Sequence, residues 1–379
     1  MVGLTGEKQF FTFGHPPDEL ILESGARLGP VTIAYESWGR LSTNRDNVIL
    51  VTHAFTGDSH AAGFYPGENR QEVKPGWWDW MIGSGKGIDT DKYFVICANI
   101  LGSCRGSTGP SSINPADGKP YGLTFPMMTI GDIIETQKKL LDHLEITSLH
   151  SVIGGSVGGM QVLEWCARYP EMISSAVPIA TTMRHSALAI AFNEVARQAI
   201  MADPNWKKGA YYDSKPPDIG LAIARMVGHV TYLSDEAMRR KFGRRLQNKE
   251  DVSYGFDIDF QVESYLHHQG SKFVKRFDAN SLLYITKAAD YFDLVERDTS
   301  QPSLKNQAQS PPRFLVVSYT SDWLYPTYQA KELVRILKKN GWDVSFCEIE
   351  ADCGHDAFLI PDDRLTRLLG GFLDGTSRR

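Results

Sequence analysis

Gly154-Gly155-Ser156-Val157-Gly158 fits the pattern G-x-S-x-G. The pattern is short and recurs by chance, so its surroundings decide its meaning. A strand-like run, His150–Ile153, precedes it, and Met160–Tyr169, with helical character, follows it. A serine on a sharp strand-to-helix turn carries its hydroxyl above a sheet, beside a helix N-terminus, where it can act as a nucleophile. The glycines leave room for strand and helix to meet and tolerate the strained backbone such a turn demands. A serine hydroxyl is a weak nucleophile at neutral pH and needs a base, which needs an orienting carboxylate. In this arrangement the chain order is Ser, then Asp or Glu, then His. Asp322 stands in the loop after the strand-like Arg313–Ser318, and His355 in the loop after Asp343–Ile349. Asp322 would fix the imidazole tautomer, and His355 would shuttle the proton.

The oxyanion of such a reaction needs two N–H donors. The amide of the residue after the nucleophile, Val157, is one. The other is expected from the loop after an early strand, where Asn47–Thr52 leads into His53-Ala54-Phe55-Thr56, and the Phe55 amide is the candidate. The remaining histidines fit the base poorly. His15, His143, His150 and His185 read as surface or core residues. His53 and His60 precede the serine and could only shape its pocket. The pair His267-His268 reads as solvated. Five cysteines, an odd number without a CxxC, argue against a disulfide framework or a zinc site, and no metal is expected. Cys166 reads as a small core residue. GSGKG at 83–87 lacks the spacing of a phosphate-binding loop and reads as a turn.

These residues need a scaffold. Six short apolar runs read as buried strands: Asn47–Thr52, Tyr93–Ala98, His150–Gly154, Ser175–Ala180, Arg313–Ser318 and Asp343–Ile349. Leu20–Leu22 and Val31–Tyr35 are expected to form an antiparallel lead-in. Helical patterns separate most of the strands. Thr129 with Asp132 predicts a capping box ahead of Ile133, Ile134, Leu140 and Leu141. A helix is predicted from Pro326 with Gly341 as its stop, and a last one from about Pro361. Alternating strands and helices imply a mostly parallel sheet covered on both faces. The rhythm breaks between Met183 and Asp298, where the pattern is long, charged and helical. The expected organisation is an α/β core over 1–182 and 301–379, with a helical lid inserted over 183–300 and Asp298–Pro312 as the return linker.

Composition narrows the class of function. The chain has 379 residues, 42% hydrophobic and 22% charged, with a net charge of −5. That is a globular composition with a substantial core, and the charge carries no footprint for nucleic acid or an anionic membrane. No apolar run approaches the ~20 residues of a membrane helix, and the first residues lack the pattern of a secretory signal. A cytoplasmic location is expected.

Longer motifs carry a resemblance. HAFTGDSHAAG (53–63), the run from Pro75 to Pro115, GGSVGGMQVLEW (154–165), FNEVARQAIMADPNW (192–206), ARMVGHVTYLSDEAM (224–238), SDWLYP (321–326) and CGHDAFL (353–359) resemble homoserine O-acetyltransferases over nearly the whole chain. The resemblance implies the α/β-hydrolase fold with a helical lid, a homodimer formed through that lid, and an acetyl group moved from acetyl-CoA to the hydroxyl of L-homoserine, an early step of methionine synthesis. No permanently bound cofactor is implied, with acetyl-CoA acting as co-substrate. The mechanism is expected to be ping-pong through acetyl-Ser156. The resemblance agrees with Ser156, Asp322 and His355. It adds Arg225 and Tyr232 to the acceptor site, with Thr56 beside them, and gives Asp356 the acceptor's ammonium. Read alone, Arg225 is a solvated charge on a helix, and Asp356 an N-cap for the final helix. Homoserine carries a carboxylate and an ammonium, which an arginine fork and a carboxylate would hold. Two positions depart from the family. Its usual methionine after the nucleophile is Val157, and its usual leucine after His-Ala is Phe55, and both are expected beside the acyl site. Similar enzymes use succinyl-CoA, L-serine or other alcohols, and the same triad serves esterases and thioesterases.

Overall fold

The computed structural model describes residues 6–297, 302–304 and 311–376. Eight strands form one sheet: β1 Gln9–Phe13, β2 Val31–Trp38, β3 Val48–Thr52, β4 Phe94–Ala98, β5 Ser151–Gly155, β6 Ser175–Ile179, β7 Arg313–Tyr319 and β8 Val344–Ile349. Their order is β1-β2-β4-β3-β5-β6-β7-β8. β1 and β2 run antiparallel, as do β2 and β4, and every pairing from β4 to β8 is parallel.

The apolar runs of the central strands follow from burial on both faces. Val48 and Leu50 of β3 point into one core cluster, and Ile49 and Val51 into the other. Phe314 and Val316 of β7 alternate with Leu315 and Val317 in the same way. Successive side chains leave a strand on opposite sides, so a strand packed on both faces has no polar alternation. On one face lie α1 (Ile130–His143), α2 (Val157–Arg168) and α8 (Thr327–Lys339), and on the other α9 (Asp363–Asp374). The capping box of α1 forms: the Thr129 side chain accepts from the Asp132 amide, and Asp132 accepts from the Thr129 amide. α8 begins after Pro326 and stops before Gly341, whose φ is +81°.

Two expectations need correction. Val31–Trp38 pairs with Gln9–Phe13, while Leu20–Ile21 pairs with Arg27–Leu28 in a separate two-stranded sheet. β1 is an edge strand whose alternate side chains are exposed, so its apolar signal is diluted. The final helix takes its N-cap from Asp362, whose side chain accepts from the Arg364 amide, whereas Asp356 lies one 3₁₀ turn earlier.

Between β6 and β7 the chain forms α3 (Ala187–Ala202), α4 (Asp218–Tyr232), α5 (Asp235–Lys241), α6 (Gln261–Phe273) and α7 (Ala279–Asp290). Most of the predicted return linker, 298–312, and the boundary at 300/301 lie outside the described residues. Among the described residues no helix is long and apolar enough to cross a membrane.

Candidate active site

The C-terminal ends of β3, β5, β7 and β8 open on the same edge of the sheet, where ligands of open α/β folds bind. β5 ends at Gly155, and α2 begins at Val157. Ser156 between them has φ +58° and ψ −126°, a left-handed conformation that costs free energy. The surroundings hold it there. Its amide donates to the Ile179 carbonyl at 2.9 Å, and its carbonyl accepts from Thr181 Oγ1 at 2.7 Å. The flanking glycines are required by contact. A Cβ on Gly158 would lie 2.2 Å from the Thr52 carbonyl oxygen, and one on Gly154 2.1 Å from Thr52 Oγ1.

The three predicted residues form one hydrogen-bonded chain. Ser156 Oγ donates to His355 Nε2 at 2.8 Å, and His355 Nδ1 donates to Asp322 Oδ2 at 2.8 Å. The other carboxylate oxygen of Asp322 accepts from the Leu324 and Tyr325 amides at 3.0 and 2.9 Å. Both lone-pair faces of the carboxylate are therefore used, and its orientation is fixed. Burial alone would lower the pKa of His355. The charge and hydrogen bond of Asp322, with the charge of Asp356, outweigh it and raise the imidazole above its ordinary value of 6.5. A base must be neutral to take the Ser156 proton. Acylation, read as kcat/KM for an acyl donor, is therefore expected to fall as pH drops through an apparent pKa above 6.5, and an acidic limb below 6.5 would refute the assignment.

Ser156 and His355 open into a cavity of about 210 Å³ that also holds Phe55, Thr56, Arg225, Tyr232 and Asp356. That is below the ~300–1,000 Å³ of pockets for drug-sized ligands and suits small substrates. Arg225 Nη1 donates to Thr56 Oγ1 at 3.4 Å, and its guanidinium lies over the rings of Phe273 and Tyr232, 4.9 and 5.7 Å from their centroids. The Tyr232 ring packs 6.1 Å from that of His355. Burial raises the pKa of Asp356, while His355 and Arg225 draw it down and Asp322 pushes it up. Arg225 and Asp356 thus line the same cavity as the nucleophile.

The two family departures separate. Phe55 lines the cavity, but the Val157 side chain does not. It is fully buried in the core cluster on the α2 face, because the first helical residue turns its side chain into the sheet while its amide stays at the free helix end. The expectation that Val157 shapes the acyl pocket with its side chain is therefore corrected.

His53 and His60 are absent from the cavity lining. His53 Nε2 accepts from the Ile100 amide, and His60 pairs with Glu36. His267 and His268 are exposed on α6, and Gly83–Gly87 is a turn. Among the lining residues that sequence reasoning missed are His185, Arg276 and Tyr325. Arg276 Nη1 donates to the Thr56 carbonyl at 3.0 Å, so two arginines converge on Thr56. The five cysteines are free, and among the described residues no group of His, Cys, Asp and Glu is arranged to hold a metal ion.

The α/β-hydrolase fold family matches residues 47–362. The homoserine O-acetyltransferase of Desulfotalea psychrophila is 68% identical over 370 residues, covering 97% of this chain and 94% of its own. That of Solidesulfovibrio magneticus is 61% identical over 370 residues, covering 97% and 92%. The chain belongs to the homoserine O-acetyltransferase family. Its activity is the transfer of an acetyl group to the hydroxyl of homoserine. Among solved structures, homoserine O-acetyltransferase from Bacillus anthracis superposes with a TM-score of 0.88 at 29% identity, covering 98% of this chain and 99% of that one. Esterase E22 superposes with a TM-score of 0.86 at 30% identity, covering 97% and 99%. Acyltransferases and esterases thus share this scaffold, and the site must distinguish an alcohol from water.

Proposed function

We propose a ping-pong transfer of acetyl from acetyl-CoA through Ser156 to L-homoserine. His355 Nε2 takes the Ser156 proton as Oγ attacks the thioester carbonyl. The Phe55 and Val157 amides hold the oxyanion. The C–S bond breaks, and the CoA thiolate takes the proton from His355. Homoserine then enters, its carboxylate held by Arg225 with Tyr232 and Thr56 beside it, its ammonium by Asp356. Its hydroxyl gives its proton to His355 and attacks the acetyl carbon, and the C–Oγ bond breaks as Ser156 regains a proton. The observation that carries this reading is the unbroken Asp322–His355–Ser156 chain opening into one cavity with Arg225 and Asp356.

We read residues 183–300 as a lid over that cavity, since Arg225, Tyr232 and Arg276 reach it from there. Such a cover excludes water and favours transfer over hydrolysis. Exposed Leu188, Val195, Ile219 and Ile223 on α3 and α4 support a homodimer formed through the lid. A cytoplasmic place in methionine biosynthesis fits these substrates.

The resemblance to esterase E22 favours a second reading, hydrolysis of acyl donors. Release of CoA thiol from acetyl-CoA, with and without L-homoserine, separates the two. Sustained release is expected only with homoserine. Equal release without it would make the protein a thioesterase. Sustained release from succinyl-CoA alone, or with L-serine in place of homoserine, would change the donor or the acceptor.

A further inference from the structure

A hydrogen-bonded chain of three polar side chains runs through the core between α1 and α2. Trp165 Nε1 donates to Gln137 Oε1 at 2.7 Å, and Gln137 Nε2 donates to Gln161 Oε1 at 2.8 Å. Gln161 Nε2 donates to the His53 carbonyl at 3.0 Å and to the Val157 carbonyl at 3.4 Å. The three residues are at most 1% exposed, and none of them lines the cavity.

The direction of the chain follows from its ends. An indole N–H only donates, so Gln137 turns its oxygen to Trp165 and its amide hydrogens to Gln161. Gln161 then accepts on Oε1 and presents Nε2 to two carbonyls, which only accept. Both ends dictate the same orientation of the two amides. A buried carboxamide costs free energy unless it is hydrogen-bonded, so an apolar residue is the ordinary occupant of such a position. What the amide adds is a tie between two segments. His53 opens the loop after β3, two residues before Phe55, and Val157 opens α2. These are the segments whose amides are assigned to the oxyanion.

The loop itself is stiff. His53 Nε2 accepts from the Ile100 amide at 3.1 Å, so Nδ1 carries the ring hydrogen and donates to the Ala54 carbonyl at 2.9 Å. The Gly57 amide donates to the same carbonyl at 2.9 Å. That carbonyl and the Phe55 N–H belong to one planar peptide, so fixing the one orients the other. At the end of β3, Thr52 Oγ1 donates to the Gly158 carbonyl at 2.8 Å. Beyond Thr52 the loop leaves the sheet, and Gln161 holds its first carbonyl to α2.

We propose that Gln161 is a positioning residue for the oxyanion hole, setting the loop that carries the Phe55 amide at a fixed distance from the helix start that carries the Val157 amide. The inference rests on the acyl-serine reading, with those two amides as the oxyanion donors, and deepens it. Two donors aimed at one oxygen stabilise it fully only when their separation is set in advance. Gln137 and Trp165 act only through Gln161, by keeping its amide from turning.

The test is the burst of thiol release from acetyl-CoA without acceptor, followed in the wild type, Gln161→Met, Gln137→Met and Ser156→Ala. Methionine matches glutamine in length and lacks the donor. Displacing a donor costs less than the ~10²–10³-fold of deleting one, and the acylation rate constant is expected to fall about tenfold in Gln161→Met. The half-saturating acetyl-CoA concentration and the acidic limb should not move, because substrate contacts and the triad are untouched. The second readout is inhibition by trifluoroacetone. Ser156 Oγ adds to its carbonyl carbon, the proton passes to His355, and the carbonyl oxygen becomes an oxyanion. Its inhibition constant should rise in Gln161→Met by the same factor as the burst slows. A wild-type burst rate would overturn the proposal. So would a slower burst with unchanged trifluoroacetone inhibition, or one accompanied by a displaced acidic limb, since either places the damage outside the oxyanion hole. Should Gln161→Met fail to fold, as judged by thermal melting, Gln137→Met decides in its place. It frees the Gln161 amide to turn and should slow the burst by a smaller factor, matched again by trifluoroacetone, and a wild-type burst there overturns the proposal. A burst that persists in Ser156→Ala would instead refute the acyl-serine reading itself.

Discussion

Ser156→Ala is expected to lower acetyl transfer to homoserine by about four orders of magnitude or more, the range seen when the nucleophile of a triad is removed. The loss is in kcat, because the variant keeps the cavity, the two arginines and the oxyanion amides, and so binds both substrates. Two companions make the result specific. Asp322→Asn preserves the shape but presents an amide where His355 Nδ1–H now donates at 2.8 Å. It favours the wrong imidazole tautomer and is expected to cost about as much. His355→Gln removes the base, and combined with Ser156→Ala it is expected to add little, because the residues act as one unit. Folding is checked by thermal melting. Ser156→Ala removes one hydroxyl and leaves the backbone bonds to Ile179 and Thr181 intact. A variant that retained more than a hundredth of wild-type kcat would mean that homoserine attacks acetyl-CoA directly, without an acyl-serine.

The parts of this site that sequence could reveal are those with local signals. Ser156 announces itself because the turn needs glycines within two residues, and Asp322 and His355 because each sits in a loop directly after an apolar strand. The strands were legible because burial on both faces leaves an unbroken apolar run, as in Val48–Thr52. Gln9–Phe13 was hidden because an edge strand exposes alternate residues, with Phe10 60% exposed. α6 was hidden because only Gly270 and Phe273 of its thirteen residues are buried, which leaves almost no apolar face. The direction of the Val157 side chain depends on how α2 docks against the sheet, which periodicity does not carry. His185 and Tyr325 meet across 140 positions, and Arg276 reaches Thr56 across 220. Long-range pairings of polar residues leave no trace in local spacing. Arg225 and Asp356 became legible only through resemblance, since an arginine on a helix and an aspartate near a helix start both have ordinary surface explanations.

Those two residues carry the other large expected effect. Arg225→Ala is expected to lower kcat/KM for L-homoserine by about a hundredfold, the ~3 kcal/mol typical of removing one partner from a buried charged pair. Acylation by acetyl-CoA, read as the thiol burst, should change far less, since the substrate carboxylate is absent at that stage. Arg225→Lys should recover only part of the loss, because an ammonium keeps the charge but not the fork or the stacking over Phe273 and Tyr232. Asp356→Asn tests the ammonium side. It too should act on the acceptor half-reaction, and it carries a second signature. The Asp356 charge helps raise the His355 pKa. Removing that charge disfavours the imidazolium, so the acidic limb of acylation should move to lower pH in Asp356→Asn. Arg225→Ala pushes the other way on Asp356 itself. Without the guanidinium that draws its pKa down, the already raised carboxyl protonates more easily and loses its hold on the ammonium. Part of the damage in Arg225→Ala therefore passes through Asp356, and the double variant should lose less than the product of the two single losses. Equal damage to acylation and to acceptor transfer in either single variant would remove Arg225 and Asp356 from homoserine binding and leave them as supports of the triad.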